Sequence, residues 1–230
     1  TRLLEGYSAG NTADERDMRL RYVEESIYTG QVSGEHYLTA VSNSLFEWRM
    51  SYSRGIRREP DLRENVYRSE RGMEQYSWSS QGQSGFRQFS GQFDDIYEPG
   101  VDWTFFMARK GIVGSYKFGG LWQERERDFS SRRFAFLPNG RTLDFAASPE
   151  TLFAPANINP NGLELREVTR PTDTFDGQQS VQAGYAMADL TLGDKWRLTG
   201  GVRVERSHQR LVTYDPFAAG LNPISTDLQN

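Results

Sequence analysis

The stretch VQAGYAMADLTLGDKWRLTGGVRVE, Val181 to Glu205, reads as two strands joined by a tight turn at Leu192–Lys195. Side chains along a strand alternate between its two faces. One face of the second strand is apolar or small and the other is mostly charged or polar. The first face carries Trp196, Leu198, Gly200, Val202 and Val204, and the second carries Arg197, Thr199, Gly201, Arg203 and Glu205. This pattern predicts a hairpin whose turn-end tryptophan lies at a boundary between apolar and aqueous surroundings.

The first strand of this hairpin is less regular. Tyr185 and Met187 fit the apolar face, but the same alternation places Asp189 on that face and Leu190 on the polar one. Either a bulge shifts the register at Asp189, or Asp189 lies where the apolar layer meets water. The sequence leaves both interpretations open.

Composition restricts the class of protein. The chain has 230 residues, a net charge of -4 and no cysteine. An acidic chain offers no basic field for phosphates, so no nucleic-acid partner is expected. Without cysteine there is no disulfide framework, thiolate metal site or cysteine nucleophile. The chain contains no run of about 18 or more apolar residues, so no transmembrane helix is predicted. A transmembrane β-barrel remains possible, because its strands alternate apolar and polar residues and therefore form no continuous apolar run.

Other segments repeat the alternating pattern. It is clearest in LFEWRMSYSRGIR (Leu45–Arg57) and recurs in VGSYKFGGLWQERERDF (Val113–Phe129). Weaker strand patterns cover Met18–Leu38 and Trp103–Arg109. With the opening hairpin, these segments predict an all-β, antiparallel fold of about six strands.

The connections between these strands alternate in length. Short ones are predicted at 39–44, 109–112 and 192–195, and long ones at 59–102 and 137–178. The first 16 residues and the residues after Val212 also read as loop, and a helical turn is predicted at Pro60–Glu64. Outer-membrane barrels alternate in this way, with short periplasmic turns and long extracellular loops. The order of connections therefore favours a segment of a larger transmembrane barrel over a soluble sandwich.

A barrel of this kind turns one face of each strand to lipid and the other to its lumen. The side chains predicted to face lipid are Phe46, Trp48, Met50, Tyr52, Tyr116, Phe118, Trp122, Trp196, Leu198, Val202 and Val204. Those predicted to line the lumen are Glu47, Arg49, Ser51, Lys117, Arg203 and Glu205. Aromatic side chains in the long loops are candidate ligand contacts, or else pack the loops on themselves: Tyr76, Trp78, Phe86, Phe89, Phe93 and Tyr97.

Catalytic and metal-binding patterns are weak. The acidic side chains of Glu124, Glu126 and Asp128 alternate with arginines, which predicts cross-strand ion pairs in water rather than acid–base catalysis. The pair Asp94–Asp95 is predicted to be a solvated loop feature, with cation binding as the alternative. The two histidines, His36 and His208, have no partner at ligand spacing. We therefore predict neither an enzyme nor a metal site, and no cofactor.

Several of these pieces resemble the β-barrel of TonB-dependent outer-membrane receptors. They are SIYTGQVSGEHYL, LFEWRMSYSRGIRREPDLRE, YKFGGLWQERERDF and the opening hairpin. The most recognisable are R-x-E-P-D-L-R-E at Arg57–Glu64 and GGVRVE at Gly200–Glu205. The resemblance covers most of residues 18–214.

The resemblance implies a barrel of about 22 strands around an N-terminal plug domain, importing a scarce nutrient across the cell outer membrane. It implies outer-membrane lipid and the inner-membrane, energy-transducing TonB complex as partners, the latter through the plug. A ferric siderophore, a cobalamin-like cofactor and an oligosaccharide are the candidate substrates. The chain shows no plug-like segment and no barrel-closing strand, so residues 1–230 are expected to be a partial barrel domain.

Two other interpretations are kept. A soluble all-β carbohydrate-binding module, such as a lectin-like sandwich, would bury its apolar faces against a second sheet. An all-β glycoside hydrolase would use a pair of loop carboxylates. Whether the apolar face of the sheet is covered by other residues distinguishes the barrel from these two alternatives.

Overall fold

A computed structural model of the chain describes residues 2–70, 73–82, 84–139, 143–193, 195–214, 217 and 224–229. Six long strands dominate it, each of 15 to 27 residues: β3 (Glu24–Leu38), β4 (Ser44–Glu70), β6 (Phe86–Arg109), β7 (Ile112–Pro138), β9 (Thr174–Leu192) and β10 (Trp196–Thr213). Five short strands accompany them: β1 (Arg2–Ser8), β2 (Ala13–Leu20), β5 (Ser77–Trp78), β8 (Leu163–Glu167) and β11 (Ile224–Gln229). One short helix, α1 (Pro149–Leu152), and two 3₁₀ turns, Pro155–Asn157 and Pro171–Asp173, complete the elements.

All eleven strands belong to one antiparallel sheet. Its main order is β1-β2-β4-β6-β7-β9-β10-β11, with β3 and β5 also paired to β4 and β8 to β7. The strands β1 and β11 each pair with a single neighbour, so the sheet is open in the part of the chain that the structure describes. The predicted all-β, antiparallel fold is confirmed. Among the described residues, no helix is long and apolar enough to cross a membrane.

The strands reach much further than the sequence predicted. The segment 59–102, predicted to be a loop, is largely the outer halves of β4 and β6, which pair from Ser44↔Phe105 to Glu64↔Phe86. The helical turn predicted at Pro60–Glu64 is wrong, because the register of this pair shifts between Glu59 and Leu62 and the strand continues. Proline has no N–H for the ladder, which suits an irregularity of this kind. The outer parts of β4 and β6 are rich in charged side chains, so no apolar alternation marked them as strands.

Three other predicted boundaries change. The first 16 residues contain the β1–β2 hairpin rather than a loop. The single segment Met18–Leu38 is divided, since β2 pairs with the outer half of β4 and β3 with its inner half. The chain after Val212 returns as β11 along His208–Thr213.

The short connections lie together at one end of the sheet. They join β3 to β4 through 39–43, β6 to β7 through Lys110 and Gly111, and β9 to β10 after Leu192. Left-handed backbone at Asn43, Gly111 and Gly193 makes these tight reversals, with φ of 48°, 79° and 58°. Asp194, within the predicted turn, lies outside the described residues. We call this the turn end, and the opposite end the outer end.

The buried apolar core lies at the outer end. Tyr67, Trp78, Phe136, Leu152 and Leu163 form it, and Phe145 and Phe153 pack against it. Two backbone-directed bonds attach the covering segment to the sheet, from Trp78 N to Phe145 O (2.7 Å) and from Tyr67 Oη to Ala147 O (2.8 Å). We call residues 143–163 the cap. Within the predicted loop 137–178, the described residues form the end of β7, the cap with α1, then β8, a 3₁₀ turn and the start of β9.

Candidate functional site

The sheet has one apolar and one polar face over its turn-end half. Residues paired across antiparallel strands lie on the same face, and the register runs from Phe46 through Trp103, Phe118 and Ala186 to Val202. All eleven side chains predicted to face lipid lie on this face by the same register: Phe46, Trp48, Met50, Tyr52, Tyr116, Phe118, Trp122, Trp196, Leu198, Val202 and Val204. The apolar face is uncovered, since Trp196 and Val202 are 73% and 71% exposed. Burial against a second sheet, as in a soluble sandwich, is absent at these positions.

The apolar side chains form a band of constant height. On β4 the band covers Ser44–Tyr52 before Arg54 follows on the same face, and on β10 it covers Trp196–Val204 before Arg206 follows. Nine residues extend about 30 Å along a strand, or about 24 Å across a layer when the strand is tilted by about 35°. Transmembrane barrels carry an apolar band of about 25 Å. The band therefore has the height of a hydrocarbon layer.

The band is also slanted relative to the rows of paired residues. The row through Tyr52 ends at His208 on β10, four residues beyond Val204, and the row through Ser44 ends at Gly200, four residues beyond Trp196. Both edges thus shift by four residues over the four strand spacings from β4 to β10. At about 3.3 Å per residue and about 4.8 Å per strand spacing, this shift corresponds to a slant of about 35°. Strands of transmembrane barrels tilt by about 35–45°.

The irregularity at Asp189 is resolved by the register of β9. Ala186 pairs with Val202 and Leu190 with Leu198, without a bulge between them. Tyr185, Met187 and Asp189 consequently face the polar side, and the assignment of Tyr185 and Met187 to the apolar face is wrong. Asp189 accepts hydrogen bonds from Arg197 and Thr199, at 2.5 Å from Arg197 Nη2 and 3.1 Å from Thr199 Oγ1. The alternation was misread because small alanines, not the larger Tyr and Met, occupy the apolar face.

The polar face carries a charged network at the height of the band. Lys117 Nζ lies 3.5 Å from Glu47 Oε2 and 3.8 Å from Asp102 Oδ2, and Arg49 Nη1 lies 3.2 Å from Asp102 Oδ2. The hydroxyl of Tyr185 donates to the other oxygen of Asp102. We call these five residues the wall cluster. Three of the six predicted lumen residues are thereby brought together around an aspartate that the sequence analysis had left at the edge of a loop.

Two glycines make room for the wall cluster. A Cβ at Gly119 would lie 2.2 Å from the Tyr185 ring and 2.3 Å from Asp102 Oδ1, and one at Gly100 would lie 3.1 Å from Arg49 Cζ. A side chain at either position would displace the charged groups. The alternation of Trp103 and Phe105 on the apolar face was the signal that could have assigned Asp102 to the polar face.

The other predicted lumen residues lie apart from this cluster. Arg203 and Glu205 pair with each other along β10, with 2.9 Å between Arg203 Nη2 and Glu205 Oε2, and both are exposed. Ser51 lies on the polar face, paired in register with Glu98. These positions match the predicted face, and their contact with a ligand or plug stays a prediction.

The aromatic side chains predicted to lie in loops are placed differently. Phe86, Phe89, Phe93 and Tyr97 belong to strand β6, where Tyr97 packs against Tyr52 (4.9 Å between ring centroids) and Phe89 against Phe134 (5.8 Å). Trp78 is buried beneath the cap, stacked on Phe145. Trp78 therefore packs against the cap, which belongs to a different predicted loop from its own, and contact of these aromatic side chains with a ligand stays a prediction. Tyr76 lies beside the cap core, with the guanidinium of Arg16 over its ring at 4.3 Å.

The predicted carboxylate pairs do not converge. Asp94 and Asp95 are consecutive strand residues on opposite faces, so the alternative of a shared cation site is wrong. Asp95 accepts a hydrogen bond from Tyr52 Oη (2.6 Å), whereas Asp94 binds Arg125 and Arg127 on the polar face. Burial raises the pKa of Asp94, but the hydrogen bonds from these arginines and from Gln92 outweigh it and lower that pKa overall. Among the described residues no group of three or more His, Asp or Glu side chains could hold a metal ion.

Comparisons with known proteins add a distant structural similarity. No family model matches the chain, and no curated protein matches it. Among solved structures, the chain is similar to the siderophore receptor PiuA from Acinetobacter baumannii, with a TM-score of 0.41 and 8% sequence identity. That alignment covers 96% of this chain and 42% of the receptor chain, so this chain spans less than half of its length.

Proposed function

We propose that this chain forms part of the wall of an outer-membrane β-barrel that belongs to a TonB-dependent active transporter. The slanted apolar band carries this proposal. Its height fits a hydrocarbon layer, and its slant equals the tilt that a closed barrel requires. At the height of the band, the neighbouring strands of the complete barrel pair with the open edges of β3 and β10. In that arrangement the apolar face contacts outer-membrane lipid and the polar face lines the lumen.

The halves beyond the band have a separate role in this proposal. The outer ends of the long strands project from the membrane into the extracellular space, where charged pairs and the cap stabilise them. A scarce nutrient, whether a ferric siderophore, a cobalamin-like cofactor or an oligosaccharide, enters from this side and passes the polar face. The sequence resemblance supplies the remaining parts of the mechanism. These are a plug domain within the lumen and energy from the inner-membrane TonB complex.

Partition of the intact protein between detergent and water tests this proposal. We expect the protein to enter the detergent-rich phase of Triton X-114 and to migrate differently on SDS gels with and without heating, because a closed barrel resists SDS when cold. Uptake of its nutrient should cease when the proton gradient across the inner membrane is dissipated. Recovery of the folded protein in the aqueous phase would contradict the membrane assignment and favour the soluble carbohydrate-binding module.

A further inference from the structure

A hollow of about 390 Å³ lies on the polar face, beyond the outer edge of the band. The strands β7, β9, β10 and β11 form it. Most of its lining residues share the polar face by register, since Leu211 pairs with Gly177 and Gly177 with Arg127, while Gln209 pairs with Gln179 and Gln179 with Arg125. Gln178 and Arg210 also line it, from strand positions on the opposite face. Gly177 has no side chain and makes the floor. Binding pockets for small molecules have volumes of about 300–1,000 Å³, and this hollow falls within that range.

The cationic wall of the hollow is fixed in position by one carboxylate. Asp94 Oδ1 lies 2.7 Å from Arg127 Nε and 3.1 Å from Arg125 Nη2, and Gln92 Nε2 donates to Asp94 Oδ2 at 2.5 Å. The Asp94 side chain is only 13% exposed. Two guanidinium groups against one carboxylate leave one formal positive charge. Each arginine contacts Asp94 through Nε and Nη2, and Asp94 does not use its Nη1 donors.

The remaining walls offer amides, an aromatic ring and the apolar side chains of Leu211 and Leu228. Gln179 and Gln209 are paired across neighbouring strands, and each amide both donates and accepts hydrogen bonds. Phe175 is packed against Phe129, with 5.1 Å between the ring centroids, which fixes its ring at the outer edge of the hollow. Paired amides suit hydroxyl groups, and a fixed aromatic face suits the C–H face of a sugar ring. The positive charge that remains on Arg125 and Arg127 after pairing with Asp94 favours an anionic ligand.

We propose that this hollow is a binding subsite for a sugar acid, a hydroxyl-bearing ring with one carboxylate. The ligand carboxylate accepts hydrogen bonds from Arg125 and Arg127, and its hydroxyls exchange hydrogen bonds with the two glutamines. A neutral sugar would leave the charge unmatched, and an apolar ligand would leave the amides unpaired. The proposal rests on the proposed function, because a ligand reaches this face through the outer opening of the barrel.

Calorimetric titration of the intact protein in detergent tests the subsite. The probe is trigalacturonate, and its fully methyl-esterified form is the matched neutral ligand. We expect the ester to bind at least about tenfold more weakly, since each charge-assisted bond contributes about a tenfold change or more. Arg127→Gln should weaken binding of the acid by a similar factor. Arg166→Gln, an exposed arginine of β8 that pairs with Glu164, should leave it unchanged.

A second variant covers the case in which Arg127→Gln disturbs Asp94 and the fold. Gln209→Ala leaves both Arg127 and Asp94 in place. We expect it to weaken binding of the acid about fivefold, because one neutral hydrogen bond to the ligand is lost. Equal affinity for the acid and the ester would overturn the proposal. So would the absence of binding in protein that is detergent-soluble and heat-modifiable, although the barrel proposal would then stand. Protein recovered in the aqueous phase would instead overturn the barrel proposal itself.

Discussion

Val202 offers the sharpest test of which face meets lipid. It lies in the apolar band, two residues from the band's midpoint on β10, and is 71% exposed on the sheet. Two residues correspond to a depth of about 5 Å from the midplane in a strand tilted by about 35°. Replacing Val202 by arginine places a charge at this depth. An arginine on the lipid face of a barrel costs about 2–4 kcal/mol at the midplane and less towards the interface.

We therefore expect Val202→Arg to lower the free energy of unfolding by about 2–3 kcal/mol. The assay is urea unfolding of the intact protein in phospholipid vesicles, followed by tryptophan fluorescence. The matched control is Thr199→Arg on the polar face. An arginine there lies beside Asp189, which already accepts hydrogen bonds from Thr199 and Arg197. The control should change stability by no more than about 0.5 kcal/mol, as for an ordinary surface substitution.

The result that would refute the facing assignment is a small, equal effect of the two substitutions. In a water-soluble sheet, a side chain as exposed as Val202 tolerates arginine with a change of only about 0.5 kcal/mol. The measurement thus separates lipid contact from water contact at the same position. A larger cost for Thr199→Arg than for Val202→Arg would reverse the two faces.

Three further predictions concern the cap, the wall cluster and pH. Leu152→Ala, at a cap position that is 1% exposed, should cost about 2–5 kcal/mol in local stability and expose the cap to limited proteolysis while the band stays protected. Gly119→Val should prevent folding or heat modifiability, since its side chain overlaps the wall cluster, whereas Gly30→Val, with nothing within 4 Å of a Cβ, should fold normally. Asp94 has a lowered pKa, so its contribution to stability is complete above the unfolded value of about 3.9 and is lost as pH falls through the folded pKa. Burial and the neighbouring Asp176 raise the pKa of Asp128, so Asp128→Asn should stabilise the protein at pH 7 and lose that advantage at pH 3, as thermal melts at the two pH values would show.

The sequence was sufficient to predict the band because hydrophobic side chains recur there at every second residue, which is the period of a strand. Phe46, Trp48 and Met50 recur at every second position, and one of the two faces must be apolar. The common face of the eleven side chains predicted to face lipid followed from that alternation alone. On β9, where Ala186 and Ala188 occupy the apolar face, small side chains carried no signal and the larger Tyr185 was assigned wrongly.

The outer half of the sheet could not be predicted in the same way. Polar and charged residues occur on both faces of the strands there, and apolar ones such as Phe86, Phe89 and Phe93 do not recur at every second position. The pairing is instead marked by contacts between distant residues, such as Arg19 with Glu64 (2.7 Å) and Arg68 with Glu15 (2.8 Å). A hydropathy pattern along one strand contains no information about its partner. The hollow depends on the same kind of contact, which is why Arg125 and Arg127 were read only as a solvated ladder.

The two halves of each long strand consequently depend on different interactions. In the proposed barrel, lipid leaves the backbone groups of the band no partner except the neighbouring strand, so the ladder is obligatory there. Beyond it, water competes for every backbone group, and exposed ion pairs contribute only about 0–1 kcal/mol each. Among the described residues, the cap core is a buried apolar cluster beyond the band, and Tyr67, buried enough for its pKa to rise to about 12, connects it to β4. Cap and outer strands should therefore lose order together when Leu152 is truncated, before the band unfolds.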